Sequence, residues 1–211
     1  MSLFYELQEY LKTEYGSLSL TQPLFFKGIP ALRFDLQQES FGSRDDDYFI
    51  EVDKRIKRIF NTVTNDQDKV ILFYNYFTWK RRKIRKGNYL LKQMNKDTAV
   101  YKFKRRYSTT LGHNYSKGNA SCQLVIKDRV KNINFYNIFT AIANNDFGID
   151  PKISGELYIV NQTQKTVMLM YDDRGCDLLS NNVLLLKEFY KELSDLVLEV
   201  NRDEIEKYLS I

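Results

Sequence analysis

The stretch VILFYNYF, residues 70–77, is aliphatic or aromatic at every position except Asn75. A strand of this kind has no polar face to offer water. Both faces must be covered, which places it in the interior of a sheet packed on two sides. Outward from it, the patterning alternates between strand and helix periods. Upstream, Phe49, Val52, Ile56, Ile59, Phe60 and Val63 form one stripe at helical spacing and predict a helix over 46–63. Asp45, Asp46, Asp47 and Glu51 stand at its start, where the helix dipole favours anions; a cation site there is the alternative. Further upstream, Leu32, Phe34 and Leu36 alternate with Arg33 and Asp35 and predict a half-buried strand. Leu3, Leu7, Tyr10 and Leu11 predict a first helix that Gly16 ends.

Downstream, residues 100–107 alternate between Tyr101, Phe103 and Tyr107 on one side and Lys102, Lys104 and Arg106 on the other. The expectation is a strand with a cationic stripe facing solvent. Residues 108–120, with Gly112, Asn114, Gly118 and Asn119, predict a loop. A strand over 122–127, a helix over 134–145 and a hairpin of strands 156–160 and 166–171 follow. Leu186, Phe189, Leu193, Leu196, Val197 and Val200 predict one long helix over 183–200, and Asn201 with Glu204 resembles a capping box for a last short helix. The expected fold is a single α+β domain over 1–211, in the order αβαβββαββαα. One mixed sheet of about six strands is covered by helices 46–63, 134–145 and 183–200.

The 211 residues carry 43% hydrophobic and 28% charged side chains, an ordinary globular balance. No apolar run approaches the length of a membrane span and no leader is visible, so no membrane partner and a cytoplasmic location are expected. Two cysteines, Cys122 and Cys176, are read as free thiols of a reducing compartment.

No phosphate-binding glycine loop, nucleophile elbow or paired metal-ligand motif is present, and neither cofactor nor metal is implied. His113, the one histidine, lies in the Gly/Asn-rich loop. A dyad with either cysteine is conceivable, but the histidine is read as a solvent-exposed loop residue. Tyr171-Asp172-Asp173-Arg174-Gly175-Cys176-Asp177 gathers three carboxylates at a strand end. As architecture it is a tight turn: Asp172 or Asp173 accepts backbone amides, Gly175 supplies positive φ and Arg174 pairs with a nearby acid. As chemistry, Asp172, Asp173 and Asp177 could bind a cation or act as acid and base, with a further ligand needed from elsewhere.

Charge is unevenly spread. Residues 80–106 hold twelve Lys or Arg and one acid, a segment of +11 in a chain of +5, so the remainder is −6. Trp79, Lys80, Arg81, Arg82, Lys83, Arg85 and Lys86, with Lys102, Lys104 and Arg106, are the candidate binding surface. Cations interleaved with aromatics suit an acidic protein surface or single-stranded nucleic acid, and a solvated loop is the alternative. If strands 70–77 and 100–107 are neighbours, the loop and the stripe merge into one patch.

Leu32-Arg33-Phe34, the run from Tyr171 to Asp177 and Asn201-Arg202-Asp203-Glu204-Ile205 give the chain a family resemblance. It resembles a bacterial family known only as domain of unknown function 3885, most strongly from about Asp146 onward. The resemblance brings no catalytic residues, and the cationic run at 80–86 is not part of it. The expected function is a non-enzymatic protein-binding module, such as an immunity protein that neutralises a toxin. A nucleic-acid-binding protein using 79–106, and an enzyme or metal-binding protein centred on Asp172, Asp173 and Asp177, are the alternatives.

Overall fold

The computed structural model describes residues 2–37, 46–78, 89–106 and 120–211; at 77–78, 103–106 and 120–122 it describes the backbone alone. Seven strands form one sheet: β1 (Ala31–Asp35), β2 (Lys69–Thr78), β3 (Ala99–Arg106), β4 (Ala120–Arg129), β5 (Glu156–Asn161), β6 (Thr166–Asp172) and β7 (Gly175–Leu179). Their spatial order is β1-β7-β6-β5-β2-β4-β3. The α+β class and the helix-covered sheet agree with the sequence. The sheet has seven strands rather than about six, and every neighbouring pair is antiparallel rather than mixed. Burial on both faces gives an antiparallel strand the same continuous apolar signature as a parallel one. β2 lies inside the sheet, flanked by β5 and β4, as its composition requires.

Register sorts the side chains. Arg33, Asp177, Leu169, Tyr158, Phe73 and Val125 are opposite one another across six strands and share a face. Helix α1 (Leu3–Tyr15) covers part of that face through Glu6 and Lys127, and Phe25 covers another part. Gly16 ends α1 in the left-handed conformation, as its position predicts. On the opposite face Phe34, Leu178, Met168, Ile159, Leu72 and Leu124 are buried. Over it lie α2 (Asp46–Val63), α4 (Phe135–Ala143) and α5 (Val183–Glu192), α2 packing against both α4 and α5. Phe60 of α2 meets Phe135 and Phe139 of α4 at 4.6 and 5.1 Å between ring centres. The buried side chains form one continuous core.

Three local expectations change. The 183–200 helix stops at Glu192, and the chain continues as a 3-10 turn at Ser194–Leu196 into an extended stretch at Val197. Leu193, Leu196 and Val197 stay buried, so the apolar stripe continues although the helix does not, while Val200 is exposed. Helix α6 (Arg202–Leu209) begins after Asn201, whose side chain makes no capping bond. A four-residue helix α3 (Tyr89–Lys92), too short to show a period, precedes β3.

Candidate functional site: the β6–β7 hairpin and the β3 edge

β6 and β7 are joined through Asp173 and Arg174, with a register shift at Tyr171. Asp172 accepts the Arg174 backbone amide at 2.8 Å and its Nε at 2.9 Å, so the turn is held by its own side chains. This is the bonding the sequence predicts. Gly175 departs from expectation: its φ is not positive. Its role is spatial. A Cβ at this position would overlap the Tyr171 hydroxyl and lie 2.6 Å from the Phe34 carbonyl oxygen. Glycine is needed because β1 and Tyr171 close over the strand from two sides.

Asp177 does not join Asp172 and Asp173. Two positions beyond Gly175 on β7, it points to the Arg33 face, where it is fully buried. Its carboxylate receives the Arg33 Nε at 2.8 Å, Nη2 at 3.2 Å and the Phe25 amide at 3.0 Å. Phe25, Phe26 and Tyr171 surround the guanidinium with ring centres 5.1, 5.1 and 5.6 Å away. Burial pulls the Arg33 pKa down, but the hydrogen bond and charge of Asp177 outweigh it and leave it above the ordinary value. Such a fork, desolvated by aromatic faces, suits arginine and no other cation. Burial, then the charge of Asp177, pushes the Tyr171 hydroxyl up.

On the turn itself, Asp146 comes up beside Asp172 and Asp173 from the segment after α4. One oxygen from each lies within 4.8 Å of the others, Asp146 exposed and the other two buried. This is the further carboxylate that the spacing of the sequence does not reveal. Asp173 also accepts the Tyr48 hydroxyl of α2. A cation is already present among these acids. Hydrogen bonding and charge from Asp172 hold the Arg174 guanidinium above its ordinary pKa, and Asp173 and Asp146 add to the effect. The arrangement therefore reads as a charged clasp around Arg174.

Cys176 is free and fully buried. Burial, then the charge of Asp177, raises its thiol well above the ordinary value. His113 lies outside the described residues, and for Cys122 only the backbone is described, on β4.

The candidate basic surface divides. Residues 79–86 lie outside the described residues. Lys102 is exposed on β3; Lys104 and Arg106 occupy alternate positions further along the same strand. Strands β2 and β3 are not neighbours, because β4 runs between them. Register nevertheless aligns Thr78, Ala120 and Arg106 across the three strands. Thr78, the last described residue before the run, thus lies at the sheet end where β3 finishes. At the opposite end, a cleft of about 980 Å³ opens between the end of α2, the 92–95 segment and the start of α4, lined by Phe60, Lys92, Met94, Lys131 and Tyr136.

Among the described residues no helix is long and apolar enough to cross a membrane. An uncharacterised protein, YnaE, of Bacillus subtilis (strain 168) is 20% identical over 206 residues, spanning 90% of this chain and 96% of that protein. No solved structure matches. The model of the family described as "Domain of unknown function (DUF3885)" matches residues 7–201, and the chain, with the Arg33–Asp177 fork and the clasped hairpin inside that span, belongs to that family.

Proposed function

We propose that the protein is a non-enzymatic binding module whose cationic sheet end engages an acidic surface of a partner protein. The observation that carries this is the alignment of Thr78, Ala120 and Arg106. It supports the reading by setting Thr78, which precedes the cationic run in sequence, beside Arg106 at the end of the cationic strand, in a chain whose residues outside 80–106 sum to −6. A field so separated speeds encounter with an anionic partner and weakens with salt. A cytoplasmic immunity protein that neutralises a toxin is one form such a module takes. Lys80, Arg81, Arg82 and Lys83 replaced together by serine give the test, with polyglutamate and oligouridylate as probes at two salt concentrations. Polyglutamate binding should weaken and its salt slope flatten. If the native protein binds oligouridylate and ignores polyglutamate, the partner is a nucleic acid and the proposal fails.

A further inference from the structure

The two outer strands of the sheet are finished differently. Along the outer side of β1, Leu198 donates its amide to the Arg33 carbonyl at 2.9 Å and Val197 bridges to Phe34. Along β3, the backbone pairs with β4 on one side, and among the described residues no strand pairs with the other. Alternate residues from Ala99 to Arg106 therefore turn both their N–H and C=O groups outward. An edge of this length is a template for another strand unless something discriminates.

Charge discriminates. Four of the five residues 102–106 are Lys or Arg. A second copy adding through its own β3 would set like charges opposite one another, which is unfavourable at cross-strand distance. A strand carrying Glu or Asp at alternate positions would instead neutralise them. Val100 and Tyr101, each 38% exposed, supply apolar surface on both sides of the strand for the remaining side chains. We infer that β3 accepts an extended acidic segment of a partner protein as an eighth strand. The backbone supplies affinity and the cations supply selection. This rests on the acidic-partner reading above and adds the mode of binding.

Two labelled peptides of equal charge test it on the native protein: one alternating Glu and Val, one alternating Glu and Pro, which has half the amide donors and cannot pair as a strand. The Glu-Val peptide should bind at least about tenfold more tightly at low salt, the loss of one or two backbone bonds being worth about that factor. It should also slow amide exchange over residues 99–106. Tyr101→Pro and Lys102→Pro sharpen the result. Of two consecutive residues, one N–H serves β4 and the other points outward, so the variant that keeps its melting temperature is the one that should lose the Glu-Val preference. Equal binding of both peptides, unaltered by that variant, overturns strand addition and leaves the acidic partner standing. If neither peptide binds, while polyglutamate does, strand addition alone is overturned. If oligouridylate binds and no acidic polymer does, both proposals are overturned.

Discussion

At the β1 edge the outer backbone of the sheet meets the chain again, through Val197 and Leu198, and a buried Arg33–Asp177 fork fastens β1 to β7 from the side. At the β3 edge, exposed Lys102 stands on a strand paired through β4 alone among the described residues. The same problem, the outer peptide groups of a sheet margin, is met at β1 by hydrogen bonds from a distant segment of the chain and, among the described residues of β3, by charge. The first solution contributes to stability; the second, on the strand-addition reading, selects the occupant. Substitutions at the two edges should therefore differ in kind, with stability lost at β1 and binding lost at β3.

The largest effect is expected from Arg33→Ala. It strands the fully buried Asp177 carboxylate and should destabilise by about 3 kcal/mol, the lower part of the range for breaking a buried pair, because the guanidinium side chain keeps 15% exposure. Denaturant unfolding measures it. The double variant Arg33→Met, Asp177→Leu should recover much of the loss, and a double variant as unstable as the single one would show that the fork is not the cause. Gly175→Ala should cost about 2 kcal/mol through overpacking against the Phe34 carbonyl. Adding Tyr171→Phe, which removes the overlapping hydroxyl, should return part of it. No recovery would place the strain at Phe34 alone.

Leu198→Pro isolates the seal itself. Leu198 already has φ −65°, which proline adopts without strain, so the substitution removes mainly the bond to the Arg33 carbonyl and the leucine side chain. A loss of about 1 kcal/mol is expected, together with a rise in self-association on sedimentation as the edge opens. A variant that associates no more than the native protein would mean that this edge needs no seal.

Between the two edges, Glu156 of β5 faces Asn75 of β2, which in turn accepts the Gln123 amide of β4 at 3.3 Å. Burial raises the Glu156 pKa above 4.5, against the pull of the Tyr158 hydroxyl, the Asn75 amide and Lys27. A carboxyl whose folded pKa is raised is best accommodated when protonated. Its contribution to stability is greatest below 4.5 and falls as the pH rises through the folded value. Glu156→Gln should melt above the native protein at pH 7, with the gap closing as the pH is lowered towards 4.5. A gap that does not vary with pH would assign the effect to something other than titration. The smallest effect belongs to the open edge: Lys102→Ser should change stability by less than about 0.5 kcal/mol while weakening the Glu-Val peptide.

The sequence revealed the periodic elements and concealed what depends on distant chain. Helix α2 was legible because eighteen residues repeat one apolar stripe. β7 was not: its five residues begin inside the turn cluster, so Gly175 and Cys176 read as loop. The break after Glu192 was hidden because Leu193, Leu196 and Val197 keep facing the core while the backbone changes. Asp172 and its amide bonds were legible as turn chemistry. Asp177 was grouped with them by proximity in sequence, whereas pairing with β1 sends it to Arg33. The turn pattern points to Gly175, but the need for glycine there is steric and not conformational, since the atoms that exclude a Cβ belong partly to β1, far away in the chain. Asp146 and Tyr48 reach the hairpin only in three dimensions, and no spacing announces them.

The Arg33–Asp177 fork joins positions 144 residues apart, and the seal at Leu198 lies further on still. During synthesis β1 leaves the ribosome well before the strand that pairs with it and the segment that caps it. The best protected margin of the finished protein is thus the one left bare longest while the chain is being made. Leu32 and Phe34, both without exposure in the finished fold, must wait for β7 and the later segment before they are sheltered. A chain ended before residue 175 would keep every other strand of the sheet and leave β1 without a partner, an exposed apolar strand of the kind that chaperones retain and proteases remove.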